Sequence, residues 1–280
     1  MNHTSPKFVA ASQFSIDELT EAYNQTRVDY MVPMPMNAAR LKEYVDVYDV
    51  DLDKSIVAIN GSGMLGLGML GVRSNRSWIT RLGVLTNRRR GGIGEVICRA
   101  MLDISDDEKK EMNILEVIKG NVPAHSLFRK LNFEETRELT VIRRAPNEVS
   151  KSPSTEAQWL ETEAALDCLP EREERQAWTN ETESLRNAEN IYGLRIDLNG
   201  NGSGWLVFQR TMFNLTRVMY HTKDGDPVEI MDELLTQLHS KFPQLDTYIE
   251  NISVDDPHLT AFMDIGYIDV FRRIEMVRSN

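Results

Sequence analysis

The sequence predicts an α/β protein, a mixed sheet flanked by helices, laid out as two tandem copies of one unit. Three observations predict it. Short β-branched and apolar runs alternate with stretches of 3.6-residue apolar period. A polar segment divides the chain near its middle. On either side of that segment the same short phrases recur in the same order. A chain of 280 residues is comfortable for two such cores.

Residues 16–24 and 37–47 have helical spacing. Between them lies MVPMPM, residues 31–36, whose two prolines forbid regular helix and whose methionines suit an adaptable wall or a packed connector. Residues 55–59 form a β-branched strand, Asn60-Gly61 a turn, and residues 64–72 the return arm of a hairpin. A third strand is expected over 77–85. The junction TNRRRGGIGEVI, residues 86–97, follows it directly. Beyond the junction Ile93, Val96, Ile97, Ala100, Met101 and Ile104 share one helical face. A strand over 113–118, a short helix over 123–131 ended by Asn132, and a strand over 139–143 complete the unit.

The stretch 145–155, APNEVSKSPST, is polar and aperiodic, and it reads as a linker. The expected division is therefore a first domain over 1–147, a linker over 148–155 and a second domain over 156–280. In the second domain helices are expected over 155–166 and 171–185. Strands follow over 191–198, 205–213 and 215–221, and a helix over 226–242 opens with Asp226-Pro227. TRL at Thr80–Leu82 matches TRV at Thr216–Val218. NVPAHSLFRKLNF from Asn121 matches DDPHLTAFMDIGY from Asp255. The offset is about 135 residues, the size of a domain and not of a solenoid repeat.

A net charge of −11 argues against nucleic acid and anionic membrane as partners, so the three arginines of the junction are a local exception. The most apolar run, residues 64–72, is too short to span a bilayer. The first ten residues have no signal-peptide core, and a cytoplasmic location is the expectation. Two cysteines, Cys98 and Cys168, lack ligand partners at metal spacing, so no metal is expected.

The junction carries the chemistry. A strand runs through a glycine-rich turn into a helix whose first N–H groups have no intrahelical partner. The helix dipole adds positive potential there, and glycines let a ligand approach the backbone. Such a helix start suits a pyrophosphate. The P-loop pattern fails because no Gly-Lys-Ser/Thr follows, and the dinucleotide fingerprint fails because its last glycine is absent. Arg89-Arg90-Gly91-Gly92-Ile93-Gly94 has the form R-x-x-G-x-G. This resembles the coenzyme A loop of the GNAT acyltransferases. NVPAHSLFRKLNF resembles that superfamily's second signature, with Asn132 where glycine is usual. The fold class is thus two tandem GNAT-like domains.

The resemblance implies that backbone N–H groups of Arg89, Arg90, Gly91, Gly92, Ile93, Gly94 and Glu95 hold the pyrophosphate of acetyl-CoA. It implies that side chains from Arg88–Arg90 add charge there. It implies that Val84 and Leu85, at a splayed strand end, meet the pantetheine arm, with main-chain groups of Val84 polarising the thioester carbonyl. Asn121 should reach the reacting centre and Phe128 should lie near the sulfur. Two roles are unfilled at their usual places. Phe128 stands where many relatives have a tyrosine acid, and the strand before the loop has no carboxylate base. Glu116 and His125 are the stand-ins for a base, each weighed against a plain surface role. Tyr30, Tyr44 and Tyr48 could supply a hydroxyl.

At the equivalent junction of the second half stands HTKDGDP, with one glycine and an Asp226 that would cap the helix itself. This copy is read as degenerate and without coenzyme. Its expected job is to complete the substrate cleft or a homodimer surface. The expected activity is N-acetyl transfer from acetyl-CoA to a primary amine on a small molecule, and the acidic surface favours a cationic amine. The alternative is an acyl-CoA-binding sensor or partner-binding protein without turnover.

Overall fold

The computed structural model describes residues 5–61, 63–172 and 174–279, and its contacts divide the chain into two units. Unit 1 takes residues up to Arg137 together with Ile274–Asn280, and unit 2 takes Glu138–Arg273.

Unit 1 begins with strand β1 (Lys7–Ala10), which the sequence pattern does not predict. Its four residues lie at the sheet edge and offer no alternation to detect. Helix α1 (Ile16–Gln25) starts from a capping box in which Ser15 and Glu18 satisfy each other's backbone. Helix α2 (Ala38–Val47) is capped by Asn37. Between them Asn24 bonds both the N–H and the carbonyl of Met36, which fastens the end of the methionine loop. Strands β2 (Ile56–Asn60), β3 (Gly63–Arg73) and β4 (Arg76–Val84) form a meander, the first hairpin closing with Asn60 opposite Gly63. Helix α3 (Ile93–Asp107), strand β5 (Met112–Ile118), helix α4 (Val122–Lys130) and strand β6 (Glu134–Arg144) follow. Asn132 takes φ of 65°, as a helix stop requires.

The sheet order in unit 1 is β1-β2-β3-β4-β5, then residues 274–279 of the chain's last strand, then the start of β6. Arg137 reaches that last strand through Glu275, which is fully buried. The core is Ile97, Met101 and Cys98 of α3 packed on Leu70, Leu115 and Met276. Burial pushes the Cys98 thiol up to about 12, so Cys98 is a packing residue.

Unit 2 holds strand β7 (Gln158–Leu160), helices α5 (Thr162–Leu166) and α6 (Thr182–Asn187), strands β8 (Ile191–Asp197), β9 (Gly202–Arg210) and β10 (Asn214–Gly225), helix α7 (Pro227–Lys241), strand β11 (Asp246–Ser253), helix α8 (Leu259–Asp264) and strand β12 (Ile268–Ser279). The expected helices over 155–166 and 171–185 are corrected. Of the first only Thr162–Leu166 is helical, and residues 158–160 pair with β8 as an edge strand; of the second only the end, from Thr182, is helical, after 3-10 turns at Leu169–Glu171 and Trp178–Asn180. Edge pairing and burial of Trp178 override the helical tendency of a charged stretch. By contacts the division between units falls inside β6, and β12 returns the chain to unit 1.

Both units share two irregularities that set up a site. In β4 the pairing with β3 jumps between Leu67 and Met69, and Arg81 takes φ of 53°. In β10 the pairing with β9 jumps between Thr216 and Met219, and Arg217 takes φ of 48°. Parallel pairing of β4 with β5 is confined to Arg76–Trp78 and Met112–Ile114, and that of β10 with β11 to Asn214–Leu215 and Asp246–Thr247. Each pair of parallel strands therefore parts just ahead of its bulge. Among the described residues no helix is long and apolar enough to cross a membrane.

Candidate active site

In unit 1 the backbone at the parting of β4 and β5 follows from the sheet register. Leu85 N–H donates to Leu65 O, so the hydrogen-bonded pairs with β3 fall at Leu85 and, two residues back, at Gly83. Val84 is the non-bonded residue between them. Its N–H and C=O face away from β3, toward the side that β5 has left. The carbonyl of Val84 accepts from Arg89 Nε at 3.1 Å.

A 3-10 turn (Thr86–Arg88) leads to the loop, and α3 starts from Gly92 at φ of 78°. Arg90 also has positive φ, at 65°. This alternation turns successive N–H groups to one side. Among the described residues no protein acceptor takes the N–H of Gly91, Gly92, Ile93, Gly94 or Glu95. Gly91 and Gly92 are exposed, and Ile93 points into the core. The loop is thus a row of unsatisfied donors anchored by one apolar side chain.

The arginines divide their work. Arg89 grips Asp29 with both ends of its guanidinium, at 2.8 and 2.7 Å, and bonds Thr26 O at 3.0 Å. Its side chain therefore ties the loop to the end of α1, and only its backbone is left for a ligand. The carboxyl of Asp29 is held below its usual range by Arg89. Arg88 and Arg90 make no ion pair among the described residues. Glu95 is bridged by Lys130 and Arg99, which hold its carboxylate ionised below the ordinary range.

Asn121 caps α4 and accepts from Ala124 N–H at 3.3 Å, while its amide lies 3.4 Å from the Tyr30 hydroxyl. Asn121 and Tyr30 stand ninety-one residues apart in the chain, and the fold brings them together. Phe128 is only 6% exposed and packs edge-on to Phe133, so most of its ring belongs to the core. His125 lies on the outer side of α4, paired with Glu135 at 2.9 Å. Glu116 accepts from Trp78 Nε1 at 2.7 Å, beside Tyr44. Burial pushes the Tyr44 phenol up, and its hydroxyl already bonds Thr80 at 2.6 Å. Tyr48 packs on Trp78 and Tyr44. No cluster of three or more His, Cys, Asp or Glu suited to a metal occurs among the described residues.

Unit 2 has the same parting of strands with different contents. Trp178–Asn180 packs against β10 and β11, with Trp178 fully buried. Asn180 donates to Glu250 O at 2.9 Å and to Asn251 O at 3.3 Å. Tyr220, the counterpart of Val84, bonds Asp256 at 2.9 Å. Asp256 in turn bonds His258 Nδ1 at 2.8 Å, and His258 Nε2 meets Thr222 at 2.9 Å. Burial, then the Asp256 carboxylate, pushes the Tyr220 phenol well above its ordinary range. At the head of α7 the Asp226 carboxylate takes the N–H groups of Val228 and Glu229, and Pro227 has none to offer. The donors that unit 1 leaves open are spent here within the chain. Asp226→Ala is expected to cost about 1 kcal/mol of unit 2 stability in denaturant titration, and calorimetry should still detect no second coenzyme site.

Residues 17–133 match the model of the acetyltransferase (GNAT) family. No curated protein sequence matches the chain. Among solved structures, the chain is similar to a tandem GNAT protein from the clavulanic acid biosynthesis pathway. Identity is 14%, coverage is 98% of each chain, and the TM-score is 0.67. It is also similar to a GCN5-related N-acetyltransferase from Sphaerobacter thermophilus, at 11% identity, 98% of this chain, 95% of that one and a TM-score of 0.71. A GCN5-related N-acetyltransferase from Anabaena variabilis aligns at 12% identity over 98% of this chain and 73% of its own, with a TM-score of 0.60.

Proposed function

With its first unit belonging to the GNAT acetyltransferase family and a second unit of the same fold following it, we propose that this chain is an N-acetyltransferase. It would use acetyl-CoA, and its acceptor would be a primary amine on a small molecule. The observation that carries the reading is the row of unsatisfied N–H groups from Gly91 to Glu95 beside a strand end that turns Val84 outward. The residues fit the coenzyme: donors for a diphosphate, glycines exposed where phosphates would approach, and Arg88 and Arg90 free to add charge. When bound, acetyl-CoA supplies an acyl group activated as a thioester.

The chain's own residues do the rest. Gly91–Glu95 hold the diphosphate through main-chain donors. Arg89 keeps the loop against Thr26 and Asp29, so the donors are preorganised. The N–H of Val84 lies where negative charge would grow on the thioester oxygen, and a fixed donor there lowers the barrier. Asn121 positions the pantetheine side together with Tyr30. Glu116, bonded to Trp78 beside Tyr44, is the candidate base by water relay. His125 is directed to Glu135 and is assigned no step. Unit 2 holds no coenzyme and has a structural or assembly role, including pairing of two copies.

The test is thiol release from acetyl-CoA over a panel of primary amines, with mass spectrometry of the acetylated product. Turnover with at least one amine, and acetylation at nitrogen, is the expected result. Tight coenzyme binding with no transfer to any amine would favour the sensor reading.

A further inference from the structure

Two arginines gather between the end of α1 and the β4 bulge of unit 1, although the chain as a whole carries −11. Arg27 follows the end of α1. Its Nη2 donates to Leu82 O at 2.9 Å, two residues before Val84. Its guanidinium lies 4.3 Å from the centre of the Tyr30 ring and 5.2 Å from that of Tyr23. The β4 bulge sends Arg81 to the same ring, at 5.4 Å, and over Tyr44 at 4.1 Å. Two guanidinium groups thus converge on Tyr23.

The nearby carboxylates leave Arg27 uncompensated. Asp29 is held two-pronged by Arg89, and Glu116, which takes the Trp78 N–H, lies beside Tyr44 on the side of Arg81. Arg27 makes no ion pair among the described residues, and its Nε is buried without a hydrogen bond. Gly83 borders it too, since a Cβ there would lie 3.2 Å from Nη1. A half-buried guanidinium with spare donors and no counter-ion is costly. A planar carboxylate matches its fork.

We propose that Arg27, with Arg81 beside it, receives a carboxylate of the acceptor, so that the substrate class is an amino acid with a free α-carboxylate. This rests on the acetyltransferase reading of the same site. It replaces the cationic acceptor that overall charge suggested, because field strength at the site is set by the nearest charges. It also bears on the missing base. An amine must be neutral to attack: its lone pair forms the C–N bond as the C–S bond breaks, the nitrogen gives up one proton and the thiolate takes one. The Arg27 guanidinium nearby disfavours an ammonium, so it helps supply the neutral amine.

The test uses the products as probes, which needs no turnover. N-acetylleucine, N-acetylserine and N-acetylglutamate are titrated into the wild-type protein by calorimetry, each against its α-amide. At least one acid should bind about tenfold or more tighter than its amide. Arg27→Gln should erase that preference, and Arg27→Lys should restore part of it. Acids and amides binding equally, or none binding, overturns the inference. If acetyl-CoA itself fails to bind, the reading of the site fails separately, and the acid-against-amide comparison still decides this point. Should Arg27→Gln not fold, the comparison of acids with amides on the wild-type protein is decisive by itself.

Discussion

Gly92→Val is expected to weaken acetyl-CoA binding about a hundredfold or more, about 2.7 kcal/mol, measured by calorimetry with one site per chain in the wild type. Gly92 holds φ of 78° and ψ of −3° at the head of α3. A β-branched residue resists that conformation at a cost of about 1–3 kcal/mol. No atom lies within 4 Å of where its Cβ would stand, so the penalty is conformational and not steric. The loop relieves it by rotating away, and the N–H groups of Gly91 to Glu95 then no longer converge. Gly92→Asn is the matched control, because asparagine tolerates the left-handed region, and it should retain much more affinity. Gly94→Val tests the neighbouring constraint. A Cβ on Gly94 sits 3.4 Å from Val84 Cγ2 and 3.9 Å from Leu127 Cδ2, so added methyl groups press on Val84, the residue proposed to meet the thioester. Ile93 and Ile97 keep α3 seated in the core, so each variant should unfold cooperatively near the wild-type midpoint. Unchanged affinity in both valine variants would remove the foundation of the coenzyme assignment.

The parts of this site that sequence made legible are those written in local chemistry. Three glycines within four residues, at a strand-to-helix junction, announce open main-chain donors because few other arrangements leave the backbone bare there. Asp226-Pro227 announces its absence in the second copy, since a carboxylate at the cap and an imino acid behind it consume the donors. The recurrence of Thr-Arg at 80 and 216 is visible as letters. That both arginines take positive φ at a bulge is not, because bulges depend on pairing across strands. Arg27 is hidden for the same reason. It sits in an ordinary helix-end sequence, and only the packing of α1 on the bulge brings it to Arg81. Arg89 shows the converse. Its position in the motif suggests phosphate, yet Asp29, sixty residues earlier, takes its side chain. In the fold, the β12 return is beyond reach, since pairing between strands far apart in sequence leaves no periodicity to read.

The second large effect lies in unit 2 and concerns pH. His239 of α7 is fully buried, and burial, then the charge of Arg144, lowers its pKa from 6.5 to about 3. The hydrogen bonding explains why. Nε2 lies 2.9 Å from the Tyr267 hydroxyl, and Nδ1 is buried with no partner. A neutral ring can leave Nδ1 as a bare lone pair, whereas an imidazolium would place an N–H there with no acceptor. The sign follows from proton uptake. Below pH 6.5 the unfolded chain binds a proton at this histidine and the folded chain does not, so stability falls as pH falls. The loss begins near 6.5 and continues to about 3, where the folded state at last takes the proton. At pH 4.5 it amounts to about 2.7 kcal/mol, at 1.36 kcal/mol per unit. Urea unfolding followed by tryptophan emission reports it, because Trp159, Trp178 and Trp205 all belong to unit 2. The wild type should lose stability steadily from pH 7 to pH 4.5. His239→Gln should be weaker at pH 7, having lost a fitted ring, and should show a flatter profile. Parallel profiles for the two proteins would place the pH dependence elsewhere and leave His239 an ordinary core residue.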